Sequence, residues 1–178
     1  MPQLVAAGHV VAGMTRSPDK VEQLAALGAE PVVCDVFDAL ALTGAVCAFE
    51  PHAVMHQLTD LPDRLDELAE HGARNDRIRS EGTRNLIAAA RAAGAGCFVA
   101  QSIAWRPPGR GDIVEAHEQQ VLAVDGVVAR YGRLYGPGTF YEHELPAQPR
   151  IHVDTAARVT TPLLDAPSGI VTLSDPGE

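Results

Sequence analysis

The sequence predicts a three-layer α/β fold with a mostly parallel sheet, built as one domain over residues 1–178. Short runs rich in β-branched residues alternate along the chain with Ala- and Leu-rich stretches of helical spacing. Strands that alternate with helices require crossover connections, and these place the strands parallel to one another. Only 4% of the residues are aromatic, so the core must consist of Ala, Val, Leu and Ile, which suits buried parallel strands.

Turn residues set the limits of these elements. Gly28 and Gly94 are expected to end helices, because glycine readily adopts the left-handed conformation that follows a helix. Ser17 or Asp19 is expected to cap the helix before Gly28, and the Pro- and Gly-rich residues 103–112 are predicted to form a loop. The predicted strands are 9–14, 30–34, 53–56, 97–100, 126–130 and 169–173. The predicted helices are 19–27, 39–49, 75–93, 113–124 and a short one near 155–164.

Composition narrows the choice of partners. The formal net charge of −9 disfavours nucleic acid and anionic membranes and leaves a small molecule as the expected partner. The chain has neither an apolar run of about 18 residues nor the layout of a signal peptide, so we expect a cytoplasmic protein. Three cysteines without a CxxC spacing indicate neither a disulfide framework nor a zinc site. His52 and His56 are four apart on a predicted strand, where that spacing does not form a metal site, and no metal is expected.

Three segments resemble a known family. Residues 75–102 (NDRIRSEGTRNLIAAARAAGAGCFVAQS) resemble the Asn-rich helix and fifth strand of extended and atypical short-chain dehydrogenases. Residues 127–138 (VVARYGRLYGPG) are similar to the strand-six signature of NAD-dependent epimerases and dehydratases, and residues 151–157 (IHVDTAA) to the family's VHVDDAA. This resemblance implies a Rossmann-like fold and a dinucleotide cofactor.

Mapping the family onto the chain implies that its first strand and glycine-rich loop are missing. Residues 1–7 match the end of the helix that normally follows that loop, so we expect an N-terminally truncated member, through a gene start placed too late or through real loss. The first strand is normally central in the sheet. Without it, two strands would expose apolar edges, so we expect the sheet to close the gap, to reorder or to pair with a second copy in a homo-oligomer.

The resemblance also implies where a cofactor would bind. Arg16, which follows the first predicted strand, favours NADP over NAD, because a basic residue there accommodates the 2′-phosphate; the alternative is a solvated turn arginine. Asp35 corresponds to the residue that contacts adenine and could equally be a turn or capping aspartate. A complete homologue would bind NADP or NAD, whereas this chain could bind neither. The full set of predicted cofactor contacts is Arg16, Ser17, Asp35, Val36, Gln57 and Leu58.

Catalysis in the family depends on a Ser or Thr with a Tyr-x-x-x-Lys pair, in which lysine lowers the pKa of the tyrosine. Ser102 stands at the expected end of the fifth family strand. The only lysine is Lys20, and residues 113–124 contain no tyrosine. The standard pair is therefore predicted to be absent. Tyr131 and Tyr135, which follow the sixth family strand, remain catalytic candidates with Ser102, although packing beneath the loop is the alternative for both tyrosines.

Helix 113–124 carries other ionisable groups. Glu115 and Glu118 share a face, which is typical of a solvated acidic surface. His117 could be a general base, but a lone helical histidine is more often a surface residue.

Three functions follow from these predictions. The first is an NAD(P)-dependent epimerase/dehydratase-like or oxidoreductase-like enzyme for a small carbonyl or sugar-like substrate, with impaired dinucleotide binding in this form. The second is a non-catalytic binding or regulatory protein that keeps the fold without the Tyr-Lys pair. The third is a non-redox cyclase, lyase or isomerase that reuses the cofactor cleft.

Overall fold

The computed structural model describes residues 1–62 and 64–177 and has the predicted three-layer α/β architecture. The strands are β1 (Ala12–Thr15), β2 (Glu30–Val33), β3 (Ala53–His56), β4 (Cys97–Ile103), β5 (Val127–Tyr131), β6 (Arg133–Tyr135), β7 (Arg150–His152) and β8 (Gly169–Leu173). The helices are α1 (Pro2–Ala6), α2 (Val21–Ala26), α3 (Ala39–Phe49), α4 (Leu68–Arg77), α5 (Thr83–Ala92), α6 (Gly111–Leu122) and α7 (Val153–Thr160).

All the strand pairs are parallel, and the strands form three groups. Strands β3, β4, β5 and β8 form a four-stranded sheet in the order β3-β4-β5-β8, while β1 pairs with β2 and β6 with β7. Among the described residues no ladder joins β1 to β3. Strands β1 and β3 are therefore edge strands of two separate sheets, and no described ladder closes the gap that the sequence predicts at the usual central strand.

Helices cover both faces of these sheets. One core cluster packs α3, α5 and α6 against alternate residues of β1 to β5, including Val54, Phe98 and Val128. The other packs α7 against the opposite face, through Val99, Ala129 and neighbouring residues. This alternation follows from the pleat of a strand, in which successive side chains point to opposite faces.

Local chemistry explains several of the element limits. The Asp38 carboxylate accepts a hydrogen bond from the Ala41 amide at 3.0 Å and caps α3. Gly28 and Gly94 follow α2 and α5 with φ of +81° and +72°, as the sequence predicts. Ser17 does not cap with its side chain; Pro18 instead starts a 3₁₀ turn over Pro18–Lys20, for which its fixed φ is suited.

The largest departure from the predicted elements is the helix predicted at residues 75–93. It begins earlier, at Leu68, and runs through α4, a π-helical turn at Ile78–Gly82 and α5. The early part escaped prediction because α4 is strongly polar and has no buried residue. The π turn buries Arg79, and the first residue of α5, Thr83, is fully buried. Such turns are frequent at functional sites.

Smaller corrections concern strands and loops. The strand predicted at 9–14 is confined to Ala12–Thr15, and Val10 before it is 73% exposed. β4 extends to Ile103 and α6 begins at Gly111, so the loop predicted at 103–112 is shorter. The segment between residues 131 and 153, for which no strand is predicted, contains β6 and β7, which pair with each other. Its residues make a long-range pairing that periodicity in a short run does not reveal. No helix in the described part of the chain is long and apolar enough to cross a membrane.

Candidate functional site

Most of the predicted site residues lie at or just after the carboxyl ends of five parallel strands, β1 to β5. Because parallel strands all end at the same edge of their sheet, these residues lie along one side of the molecule. Arg16 and Ser17 follow β1, Asp35 and Val36 follow β2, and Gln57 and Leu58 follow β3, while Ser102 and Tyr131 lie near the ends of β4 and β5.

An ion-pair cluster connects the end of β1 to the segment after β3. The Arg16 Nη2 atom lies 3.3 Å from the Asp60 Oδ1 atom, and the Arg74 Nη2 atom lies 2.9 Å from the same oxygen. The Asp60 amide also donates to the Asn75 Oδ1 atom at 3.1 Å. The Asp60 side chain is 10% exposed, whereas both arginine side chains are 53% exposed. The cluster therefore bridges the two sheets and presents two cationic groups to solvent.

The segment after β2 is held in a fixed turn. The Asp35 Oδ1 atom accepts a hydrogen bond from the Phe37 amide at 2.9 Å, and Asp35 remains exposed. Val36 is buried, and its backbone carbonyl accepts a hydrogen bond from the side-chain Nδ2 of Asn85 in α5 at 2.9 Å. The turn thus presents an exposed carboxylate on a backbone that α5 supports, which is compatible with contact to an adenine ring.

Ser102 belongs to a buried charged network on the α6 side of the sheet. Its Oγ atom donates to the Glu118 Oε1 atom at 2.6 Å, and Arg130 donates to both carboxylate oxygens at 2.8 and 2.5 Å. Ser102 is fully buried and Glu118 is 3% exposed. Burial works to raise the pKa of Glu118, but the hydrogen bonds from Arg130 and Ser102 outweigh it, and the pKa is lowered.

Two buried histidines lie beside this network. His117 and His56 are each 1% exposed, and both contact the Thr83 hydroxyl, at 2.9 Å from His117 Nδ1 and 3.0 Å from His56 Nε2. Burial lowers the pKa of His117, and it lowers the pKa of His56 to about 3 with help from His117 and Arg79. Both rings are therefore neutral near pH 7.

Arg79 is the cation nearest to these rings. It is 6% exposed, and its Nη1 atom has no hydrogen-bond partner within residues 1–62 and 64–177. Burial lowers the pKa of its guanidinium, while Asp76 and Glu118 act in the opposite direction.

Tyr131 faces the other side of the sheet. Its hydroxyl lies 2.5 Å from the Thr160 Oγ1 atom, which itself donates to the Ala156 carbonyl at 2.7 Å. Because the single Thr160 proton is used in that bond, the Tyr131 hydroxyl donates to Thr160. Burial raises the pKa of Tyr131, and hydrogen bonds with the side chains of Thr160 and Gln57 partly offset that rise. Gln57 and Tyr131, predicted separately as cofactor and catalytic residues, therefore lie close enough for Gln57 to act on the pKa of Tyr131.

The other two catalytic candidates lie apart from this pair. Ser102 pairs in register with Arg130, one residue before Tyr131, so Ser102 and Tyr131 point to opposite faces of the sheet. The Tyr135 hydroxyl donates to Asp175 Oδ2 at 2.8 Å, and its ring packs edge-on against His152. The structure therefore does not bring Ser102, Tyr131 and Tyr135 into one cluster.

Sequence reasoning placed His117 and Glu118 on the surface, and this was wrong. They lie between Val114 and Val121 in α6, and all four residues are buried while Glu115 is exposed. The spacing i, i+3, i+4, i+7 is that of a core-facing helical stripe. Counting His117 and Glu118 within that stripe would have predicted their burial.

The side chains fit the two ends of a dinucleotide better than its centre. Arg16 suits a 2′-phosphate, and the exposed Asp35 with the Val36 backbone suits an adenine. A pyrophosphate is normally cradled by a glycine-rich turn that leads into a helix. Neither β1 nor β3 is followed by such a turn, because residues 16–20 and 57–67 contain no glycine.

Comparisons with known proteins agree with this geometry. A family described as NAD(P)H-binding matches residues 1–120. A Streptomyces 3-diazoavenalumate denitrifying reductase is 35% identical over 192 residues, which cover 93% of this chain. The chain spans 59% of that reductase's length.

Solved structures match the fold. The Thermus thermophilus UDP-glucose 4-epimerase in complex with NAD has a TM-score of 0.73 at 18% identity, covering 97% of this chain and 72% of that one. The Thermotoga maritima UDP-glucose 4-epimerase with UDP-glucose gives 0.75 at 15% identity, covering 97% and 71%. A short-chain dehydrogenase from Streptomyces avermitilis gives 0.66 at 18% identity, covering 97% and 81%. The predicted Rossmann-like fold and the predicted kinship with NAD(P)-binding proteins are confirmed, and the likeness to epimerases and short-chain dehydrogenases is one of fold.

Proposed function

Because this chain belongs to the NAD(P)H-binding family, we propose that it is an NAD(P)-dependent oxidoreductase- or epimerase-like enzyme for a small carbonyl or sugar-like substrate. The observation that carries the proposal is the position of the Tyr131 hydroxyl, which lies 2.5 Å from Thr160 Oγ1 at the carboxyl end of β5, on the same side of the molecule as Gln57 after β3. When bound, a nicotinamide supplies or accepts a hydride. Gln57 would line the cofactor edge, and Tyr131 would face the reacting oxygen of the substrate.

Tyr131 suits the role of a proton donor. Near neutral pH the phenol carries its proton, and although burial raises its pKa, the contribution from Gln57 opposes that rise and would stabilise the phenolate that remains after proton transfer. The hydroxyl now donates to Thr160 and would turn from Thr160 to the substrate oxygen, with Gln57 donating to the phenol oxygen. This arrangement needs no Tyr-Lys pair, and the only lysine lies in the 3₁₀ turn after β1.

The cofactor would bind mainly through its ends. Arg16 and Arg74 would meet a 2′-phosphate, and the turn at Asp35 and Val36 would meet the adenine. Without a glycine-rich cradle for the pyrophosphate, we expect weak binding with a preference for NADP(H). Isothermal titration of the purified chain with NADPH and NADH tests this expectation.

The expected result of that titration is a dissociation constant for NADPH of tens of micromolar or weaker, tighter than that for NADH. Binding of both cofactors near or below about 1 µM, about −8 kcal/mol, would show that another element replaces the cradle. No heat and no protection from unfolding with millimolar NADPH would overturn the cofactor assignment.

Turnover is tested by following NADPH oxidation with a panel of small aldehydes and ketones and with a benzenediazonium salt chosen after the relative's name. UDP-glucose, chosen after the epimerase neighbour, is incubated with NAD⁺ or NADP⁺, and formation of its 4-epimer is followed instead. For an accepted aldehyde or ketone, whose oxygen must take up a proton, Tyr131→Phe should lower kcat by about 100-fold or more, as loss of a general acid does. Tyr141→Phe is the matched control. An unchanged kcat in Tyr131→Phe would contradict the proposed role, and NADPH binding without turnover on any probe would favour a binding protein.

A further inference from the structure

Five residues around the ends of β3 and β4 form a closed ring of hydrogen bonds. The Leu58 amide donates to His56 Nδ1 at 3.3 Å, and His56 Nε2 lies 3.0 Å from the Thr83 hydroxyl. That hydroxyl lies 2.9 Å from His117 Nδ1, and His117 Nε2 lies 2.9 Å from the Gln101 carbonyl. The Gln101 side chain closes the ring by donating to the Leu58 carbonyl at 3.4 Å.

The two ends of the ring fix its proton positions. A backbone amide can only donate, so His56 Nδ1 accepts, and a neutral His56 then carries its proton on Nε2 and donates to Thr83. A carbonyl can only accept, so His117 Nε2 donates to Gln101, and Nδ1 of a neutral His117 is then an acceptor. The Thr83 proton goes to this Nδ1 at 2.9 Å, because the other acceptor in reach, the Ile78 carbonyl, is farther away at 3.3 Å. Every donor in the ring therefore has an acceptor when both imidazoles are neutral.

The ring encloses Gln57. His56 binds the amide of the second residue after it, so Gln57 is the central residue of a turn closed by the His56 ring. Gln101 holds the carbonyl of the same Leu58. The backbone that carries the Gln57 side chain toward Tyr131 is therefore fixed, because both the amide and the carbonyl of the neighbouring Leu58 are hydrogen-bonded. The Gln57 side chain itself is exposed and can contact a ligand.

We propose that the ring of His56, Thr83, His117, Gln101 and Leu58 is a positioning device that fixes Gln57 at the cofactor-binding edge, with Thr83 as its central positioning residue. This inference rests on the proposed function for its ligand, and on the hydrogen bonds alone for its geometry. Thr83 reaches this position because the π turn before α5 directs the first residue of α5 into the interior. It joins the helix α5 to two strand ends and to α6, so a change at Thr83 acts on the site through other residues.

The test compares three variants with the intact chain. Thr83→Val keeps the volume but removes the hydroxyl, and Thr83→Ser retains it. Gln101→Met removes only the closing bond and leaves the buried histidine chain intact, so it remains informative if Thr83→Val fails to fold. Thr43→Val is the matched control, because the Thr43 hydroxyl bonds only to its own helix, at the Ala39 carbonyl.

The first readout does not depend on any cofactor. In the intact chain, ¹⁵N spectra should show both histidines as Nε2–H tautomers, and the Leu58 amide should exchange slowly with solvent. Leu58 exchange should rise at least tenfold in Thr83→Val and in Gln101→Met, and stay near the original rate in Thr83→Ser and Thr43→Val. Unchanged Leu58 exchange in both ring-breaking variants would overturn the ring as a positioning device.

The second readout is NADPH affinity by titration. We expect Thr83→Val and Gln101→Met to weaken binding about tenfold, with rescue in Thr83→Ser. Altered Leu58 exchange with unaltered NADPH affinity would overturn the proposed effect on the cofactor. If the intact chain binds no NADPH, the proposed function fails by itself, and the Leu58 exchange rates still decide whether the ring fixes this turn.

Discussion

The Ser102 hydroxyl and the Glu118 carboxylate are joined by a 2.6 Å hydrogen bond inside the layer between the sheet and α6. Both residues are buried, and Arg130 completes the network by donating to both oxygens of the carboxylate. A serine in this position supports the packing of α6 on β4 and β5. In the structure Ser102 therefore stabilises the fold, whereas the catalytic role that we propose belongs to Tyr131 on the opposite face of the sheet.

Glu118→Gln should destabilise the protein by about 2 kcal/mol, because it leaves the Arg130 guanidinium without its ion pair and weakens the bond from Ser102. The figure lies below that of a fully buried pair since the Arg130 side chain is 36% exposed. Urea unfolding measures the change. Glu115→Gln, at an exposed position of the same helix, is the control and should stay within about 0.5 kcal/mol of the original chain.

The pairing of Glu118 with Arg130 and Ser102 also predicts how the stability of the protein depends on pH. The pKa of Glu118 is below its ordinary value of 4.5 in the folded chain. The folded state therefore keeps this group ionised where the unfolded state takes up a proton, and its contribution is present above pH 4.5 and lost as the pH falls. The difference between the original chain and Glu118→Gln should shrink below that pH. A difference that is constant from pH 7 to pH 3 would contradict the assignment.

The buried histidines predict a second, separate dependence on pH. The pKa of His56 is lowered from 6.5 to about 3, by burial first and then by His117 and Arg79. Burial also lowers the pKa of His117, although the Gln101 and Arg79 carbonyls and Glu118 act to raise it. Below pH 6.5 the unfolded chain binds more protons, so stability falls as the pH drops from 6.5 toward 3. Each such proton contributes up to about 1.4 kcal/mol per pH unit.

Denaturant unfolding from pH 4.5 to 7 tests this dependence. His56→Gln should be less stable at pH 7. Its free energy of unfolding should also fall less steeply with decreasing pH, by the contribution of about one proton. His143→Gln, where the side chain is 90% exposed, should keep the original slope. An equal slope in His56→Gln and the original chain would show that His56 is protonated in the folded state.

The ion-pair cluster around Asp60 predicts the cofactor preference. Arg16→Ala should weaken NADPH binding about tenfold, about 1.4 kcal/mol, and leave NADH binding unchanged, because only NADPH carries the 2′-phosphate. Arg74→Ala should have a smaller effect in the same direction. Titration calorimetry with both cofactors measures the two constants, and Arg91→Ala on the exposed part of α5 is the control. An equal loss for NADPH and NADH would contradict contact with the 2′-phosphate.

The core predicts a contrast within one helix. Leu42 in α3 is fully buried in the larger core cluster, whereas Leu40 two residues earlier is 86% exposed. Leu42→Ala should cost about 2–5 kcal/mol through lost burial and a cavity. Leu40→Ala should stay within about 0.5 kcal/mol. Thermal or urea unfolding compares the two variants, and similar losses at both positions would show that α3 packs differently.

The sequence by itself determined the fold class, the order of most of the helices and strands, and the kinship with NAD(P)-binding proteins. Strand β8 was predicted at its observed limits, and α3 and β3 likewise. These features depend on local periodicity, on glycines at helix ends and on short motifs, which are all visible within a single segment.

The tertiary structure alone decided which of the predicted residues meet. Ser102 and Tyr131 follow adjacent strands, and only the register of β4 against β5 shows that they point to opposite faces. The ring through Thr83 joins residues 25 and more positions apart, from His56 to Thr83 and from Thr83 to His117. Such contacts depend on how helices pack on the sheet, and burial of polar groups depends on partners from other segments. A sequence pattern therefore predicts on which face of a helix or strand a side chain lies, and only the packing of these elements decides which side chains contact one another.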